Sequence, residues 1–85
     1  MERLYSKRSI MAEHDICEVN YYSYDTDGLF GIKIISNMND KRNVFEAGKI
    51  CGSQNEAIDI LRKMDQYAVT PLSAEESLEE ILSAV

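Results

Sequence analysis

Leu29-Phe30-Gly31-Ile32-Lys33-Ile34-Ile35 is the stretch that decides the fold. It is dense in β-branched and aromatic side chains, the types that fit a pleated surface, so it reads as a strand. Upstream, Asp25-Thr26-Asp27-Gly28 is a turn by residue type. Asp bonds its own backbone and Gly accepts a positive φ. Before that turn, residues 16–24, Ile-Cys-Glu-Val-Asn-Tyr-Tyr-Ser-Tyr, form a second strand. A loop centred on Thr26-Asp27 sets Ser23 opposite Phe30, Tyr21 opposite Ile32, Val19 opposite Ile34 and Cys17 opposite Ser36. The large apolar side chains then share one face, while Tyr22 with Gly31 and Asn20 with Lys33 face water. A slip of one residue would bring Glu18 and Asn20 beside the isoleucines and bury polar groups, so even loops are favoured. Tyr22 would also cover the backbone that Gly31 leaves bare.

Downstream, Asn37-Met-Asn-Asp-Lys-Arg42 is the next turn region. A loop centred on Asn39-Asp40 pairs Ile34 with Phe45 and Ile32 with Ala47, adding a third strand over about 43–51. Lys49 falls opposite Phe30, which predicts an edge position or a bend at Gly48. Residues 3–11 allow a fourth strand with Leu4 and Ile10 on one side and Tyr5 on the other. Residues 1–12 are thus either an extra edge strand or a loose end.

Helices follow. Ser53-Gln54-Asn55-Glu56 matches a capping box. Ala57, Ile58, Leu61, Met64 and Ala68 then make one helical stripe, with Ile60 and Tyr67 flanking it, which predicts a helix over about 53–67. Val69-Thr70-Pro71 stops it, because the residue before proline avoids the helical region. Thr70 and Ser73 compete as N-cap of a second helix, whose narrow stripe is Leu78, Ile81, Leu82 and Val85 opposite Glu75, Glu76, Glu79 and Glu80. The fold class is α+β: an antiparallel meander of three to four strands, one face oily and one wet, then two C-terminal helices, the first packed on the oily face. Eighty-five residues make one domain, 1–85, since two cores would each be too small to hold.

Having reached Leu29-Phe-Gly-Ile-Lys-Ile-Ile35 and Ala68-Val-Thr-Pro-Leu-Ser-Ala-Glu-Glu-Ser-Leu-Glu-Glu-Ile-Leu82, the chain resembles a family of small uncharacterised bacterial proteins, a domain of unknown function. There an aromatic-Gly-Ile strand leads through another strand to a helix, and a Val-Thr-Pro-type hinge leads to an acidic last helix. The resemblance covers roughly residues 15–84. The chain departs from it at Phe30, where Tyr is the family's residue, and in Cys51-Gly52 before the helix cap. The resemblance implies a cytoplasmic bacterial protein with the order strand, strand, strand, helix, helix, and it transfers no active site.

Composition narrows the function. Apolar residues are 45 % and charged residues 28 % of the chain, with four Gly and one Pro, the make-up of a compact domain. No apolar run approaches the roughly 20 residues a membrane helix needs. Met1 to Arg8 hold no apolar stretch of the kind found in a secretory signal, so a reducing, cytoplasmic compartment is expected. The net charge is −6. Only Arg3, Lys7 and Arg8 cluster as cations, which disfavours nucleic acid as a partner. The acidic C-terminal half would be repelled by an anionic membrane.

Cys17, Cys51 and His14 are too few and too scattered for a four-ligand zinc site in one copy. Cys17 with His14 lacks a third orienting group for a catalytic dyad. No catalytic residue, cofactor or metal ligand is therefore assigned, and the chain is not expected to be an enzyme. The leading expectation is a non-enzymatic protein–protein interaction or regulatory adaptor module, open to homodimer formation. Its interaction residues would be Tyr22 and Tyr24 on the outer sheet face and Leu78, Ile81 and Leu82 on the last helix, since exposed aromatics and clustered leucines mark interfaces. The alternative is a small-molecule or metal-binding domain using Cys17, His14 and Cys51.

Overall fold

The computed structural model describes residues 2–12 and 14–83. The element order is β1 (Glu2–Ala12), β2 (Asp15–Thr26), β3 (Leu29–Met38), β4 (Lys41–Cys51), α1 (Gln54–Gln66) and α2 (Ala74–Ser83). The strands form one antiparallel sheet in the order β1-β2-β3-β4. The fold is α+β, as the hydrophobic alternation requires.

Two-residue loops make both central hairpins. Asp27 and Gly28 sit at φ 53 and 83, and Asn39 and Asp40 at φ 49 and 65. Positive φ at both central residues is the I′ geometry that matches strand twist, and Asp, Asn and Gly tolerate it best. The β3–β4 register is the expected one, Ile34 with Phe45 and Ile32 with Ala47. The β2–β3 register differs from expectation by two residues. Tyr21 pairs with Ile34, Val19 with Ser36 and Ser23 with Ile32, because the turn is Asp27-Gly28 rather than Thr26-Asp27. A slip of two keeps every side chain on its face. Val19, Tyr21, Ile32 and Ile34 therefore still point the same way, and all four have no solvent exposure.

The slip also corrects which tyrosine covers Gly31. It is Tyr24, the cross-strand partner of Gly31, while Tyr22 pairs with Lys33. The Tyr24 side chain reaches over Gly31 to Gly48. A methyl on Gly31 would lie 3.1 Å from the ring and 2.4 Å from the Ala47 carbonyl oxygen, and one on Gly48 would lie 2.8 Å from the hydroxyl. Gly48 is held open for the phenol, and Gly31 chiefly for the close approach of the β4 backbone. Near them the β3–β4 register shifts between Phe30 and Ile32, so Phe30 faces Cys51 rather than Lys49, and Lys49 itself takes φ 56. The expected bend is thus real.

β1 is a full strand, but a bulge between Leu4 and Ser6 turns its two ends to opposite faces. Leu4 pairs with Tyr22 on the outer face, and Ile10 pairs with Cys17 on the inner one, so the two do not share a side. The inner end is tied to α1: Ser6 Oγ donates to Asp65 Oδ2 at 3.1 Å, and Arg8 Nε lies 3.3 Å from Asp65 Oδ1.

α1 covers the inner face with Ala57, Ile60, Leu61 and Met64. Ile60, not Ile58, completes the buried stripe. The Ser53 hydroxyl accepts from Glu56 N at 3.2 Å, and the Glu56 carboxylate accepts from Gly52 N, one residue earlier than a regular capping box has it. The helix ends at Gln66, so Ala68 lies beyond it. Ala68 takes φ 52 and donates to Asp65 O at 3.1 Å, while Val69 N donates to Met64 O at 2.9 Å. This is a Schellman motif, with Val69 packed in the core beside Met64. Of the two candidate caps for α2, Ser73 directly precedes Ala74, the first helical residue. Ala74 and Leu78 enter the same core, and Ile81 packs against it. Val85 lies outside the described residues.

Candidate functional site

Both helices sit on one side of the sheet, and no described element covers the other. The alternation of side chains sets its composition. Tyr22 and Tyr24 stand on it, as expected, and both are half-buried. Lys33 reaches across β2 to Glu2, Nζ to Oε2 at 3.2 Å. Burial first, then the Glu46 charge and its hydrogen bond, push the Tyr24 phenol above its ordinary range.

This face is less wet than the expected pairing of Tyr22 with Gly31 and Asn20 with Lys33 implied. Asn20 lies between Lys7 and Ile35, and Ile35 lies between Asn20 and Val44. Ile35 is only 6 % exposed although no described element lies above it. Val44, Leu4, Ile16 and Met11 add exposed apolar surface, Val44 at 49 % and Ile16 at 64 %. At the centre, Asn20 is 9 % exposed, and its Oδ1 is buried with no hydrogen-bond partner among the described residues. Buried polar atoms are normally paired, because desolvation without a partner costs on the order of 1–3 kcal/mol.

The last-helix residues divide. Leu78 is buried in the chain's own core, so it does not belong to a surface. Ile81 is partly buried against that core. Leu82 is 44 % exposed and, with Ile50, Cys51, Ile60 and Ile81, lines a shallow groove of about 350 Å³ between β4 and the helices.

Cys17, His14 and Cys51 are not brought together. Cys17 is buried beside Ile10, at the β2 end near the β1–β2 turn that holds His14. Cys51 lies at the opposite end of the sheet, across from Phe30. Its thiol is within 3.6 Å of both Phe30 O and Ser53 O. Burial, with Glu56 adding to it, pushes that thiol up, which favours the unreactive protonated form. No cluster of three or more ligating side chains suited to a metal occurs among the described residues. The basic trio also separates: Lys7 is on the open face, while Arg3 and Arg8 point to the helix side, with Arg8 held by Asp65.

The apolar strip on the open face, Ile35 beside Val44, is the feature that reasoning from isolated strand pairs missed. The signal was Ile35: in Ile34-Ile35, adjacent positions of a strand face opposite ways, so one of the two had to point away from the helix. No helix among the described residues is long and apolar enough to cross a membrane. No family model, no curated protein and no solved structure matches the chain.

Proposed function

We propose that the chain is a non-enzymatic protein–protein interaction module, an adaptor that works through the helix-free face of its sheet. One observation carries the reading: a sheet face that no described element covers holds Ile35, almost buried, beside exposed Val44, Leu4 and Ile16, with Asn20 Oδ1 buried among them without a partner among the described residues. Tyr22 and Tyr24 supply the rigid aromatic contacts that interfaces favour. Leu82 contributes a smaller apolar spot on the other side of the molecule. A bacterial, reducing cytoplasm suits two thiols held at opposite ends of the sheet.

The test is capture by the full chain from its native cell extract, comparing wild type with Val44→Arg and with Leu82→Asp, each checked for an unchanged melting temperature. Proteins, including further copies of the chain, should be retained by wild type and Leu82→Asp and lost by Val44→Arg. Retention by all three proteins alike overturns the reading.

A further inference from the structure

The occupant of the open face can be argued from its charges and its area, an argument that rests on the interaction reading above. The chain carries a net charge of −6. The open face does not share that imbalance: Glu2, Glu18 and Glu46 stand there with Lys7, Lys33 and Arg42. A patch of balanced, alternating sign on an acidic molecule suits a partner with the same pattern better than it suits a strongly basic one. Area agrees. Four strands of about ten residues, at roughly 3.3 Å per residue and 4.8 Å per strand, present about 600 Å². Two such faces together would bury on the order of 1,200 Å², the lower bound for a specific pair.

We infer that the open face packs on the same face of a second copy, about a twofold axis that crosses the strands over Asn20. The symmetry is demanding, since such a contact must be self-complementary. An axis between the layers, directed across the strands, turns each strand back on itself. Asn20 then lies over Asn20 of the second copy. Ile35 and Val44 meet their own counterparts and close an apolar centre. The rows on either side exchange places. Glu46 falls opposite Arg42 of the second copy, Tyr22 opposite Glu18, and Tyr24 opposite Ile16. The roughly 30° between packed sheets displaces these rows by a few ångström, within reach of Glu, Arg and Tyr side chains. Lys7 meets Lys7 at the outer edge strand, where water and salt screen the pair.

Sedimentation equilibrium of the full chain, from about 10 to 500 μM, reads the result directly, since this range spans a micromolar association. Wild type should show a dimer. Val44→Arg should weaken the association by at least about tenfold, the equivalent of 1.4 kcal/mol, with an unchanged melting temperature in dilute solution. A charge exchange then tests the axis. Glu46→Lys alone and Arg42→Glu alone should each weaken pairing several-fold. The double variant should restore it, and mixing the two single variants should give a heterodimer. A monomer throughout the range overturns the inference. So does a dimer that ignores these changes but is lost in Ser9→Pro, which would mean pairing through the free edge of β1. In either case the capture experiment still decides the interaction reading, because its baits report any partner that needs the open face.

Discussion

Asn20 and Tyr21 are neighbours in β2 that point to opposite sides of one sheet, and their polar groups have opposite fates. The Tyr21 hydroxyl, wholly buried under α1, donates to Val69 O at 2.8 Å. The Asn20 oxygen, on the side with no helix, is just as far from solvent and has no partner among the described residues. The difference separates two kinds of burial. Under α1 the chain supplies both the apolar cover and the hydrogen-bond acceptor. On the open side, neighbouring side chains supply cover alone.

Truncation should expose the largest contrast. Leu61, at 0 % exposure, packs the covered face, so Leu61→Ala should cost about 2–5 kcal/mol through lost transfer energy and a residual cavity. Val44→Ala on the open face should cost less than about 1 kcal/mol in dilute protein, where nothing rests on it. Urea unfolding followed by circular dichroism measures both. Equal costs would break the distinction between the two faces.

Alkaline pH should produce the next largest effect. Burial, followed by the Asp65 charge, pushes the Tyr21 phenol up to about 12 from 10.0. The folded state therefore holds this proton more tightly than the unfolded state does. Its contribution is complete below pH 10 and disappears as pH rises through about 12, a loss of about 2–3 kcal/mol. Tyr21→Phe should flatten the stability profile in that window, at the cost of leaving Val69 O unpaired. A wild-type profile level between pH 10 and 12 would show that the covered face is less closed than its packing indicates.

Replacing Asn20 by valine probes the other face. The substitution removes the orphaned oxygen and places a β-branched side chain in a central strand. The dilute monomer should therefore gain about 1 kcal/mol in thermal unfolding. A stability loss in dilute protein would mean that the Asn20 oxygen is already satisfied.

How much of this could be read beforehand depended on whether local chemistry had one solution or two. Asn39-Asp40 has only one even loop that keeps Ile32 and Ile34 with Ala47 and Phe45, and that register is the observed one. Asp25-Thr26-Asp27-Gly28 offers two loops that differ by a slip of two. Facing cannot separate them, and only the left-handed conformation of Asp27 and Gly28 does. That choice decided whether Tyr22 or Tyr24 lies across Gly31, and whether Asn20 sits beside Lys33 or Ile35. The bulge in β1 has no local signal, so alternation alone puts Leu4 on the side of Ile10, and the two part. Of the interaction residues expected on α2, Leu78 went to the core because Ala74, one turn earlier, brings that side of the helix close to it. The stripe of α2 showed which residues were apolar, but not whether the core had room for all of them.

The smallest effect concerns the cover itself. Val69 carries the acceptor for Tyr21, and Val69 is placed by the turn that ends α1. That turn runs through Ala68 at φ 52, a conformation that strains any residue with a Cβ and suits glycine. Ala68→Gly removes the strain but adds backbone freedom to the unfolded chain, so the two effects partly cancel. The strain should win, because the left-handed region costs alanine about 1 kcal/mol or more. The net gain should be about 0.5 kcal/mol, read as a rise in the urea midpoint with unchanged slope. If the Schellman geometry holds Val69 O in place, the alkaline loss assigned to Tyr21 should keep its size in Ala68→Gly, since the variant relaxes the turn without moving the acceptor. A smaller alkaline loss would show that the ordered turn at Ala68, and not only the core beneath α1, keeps the covered face shut.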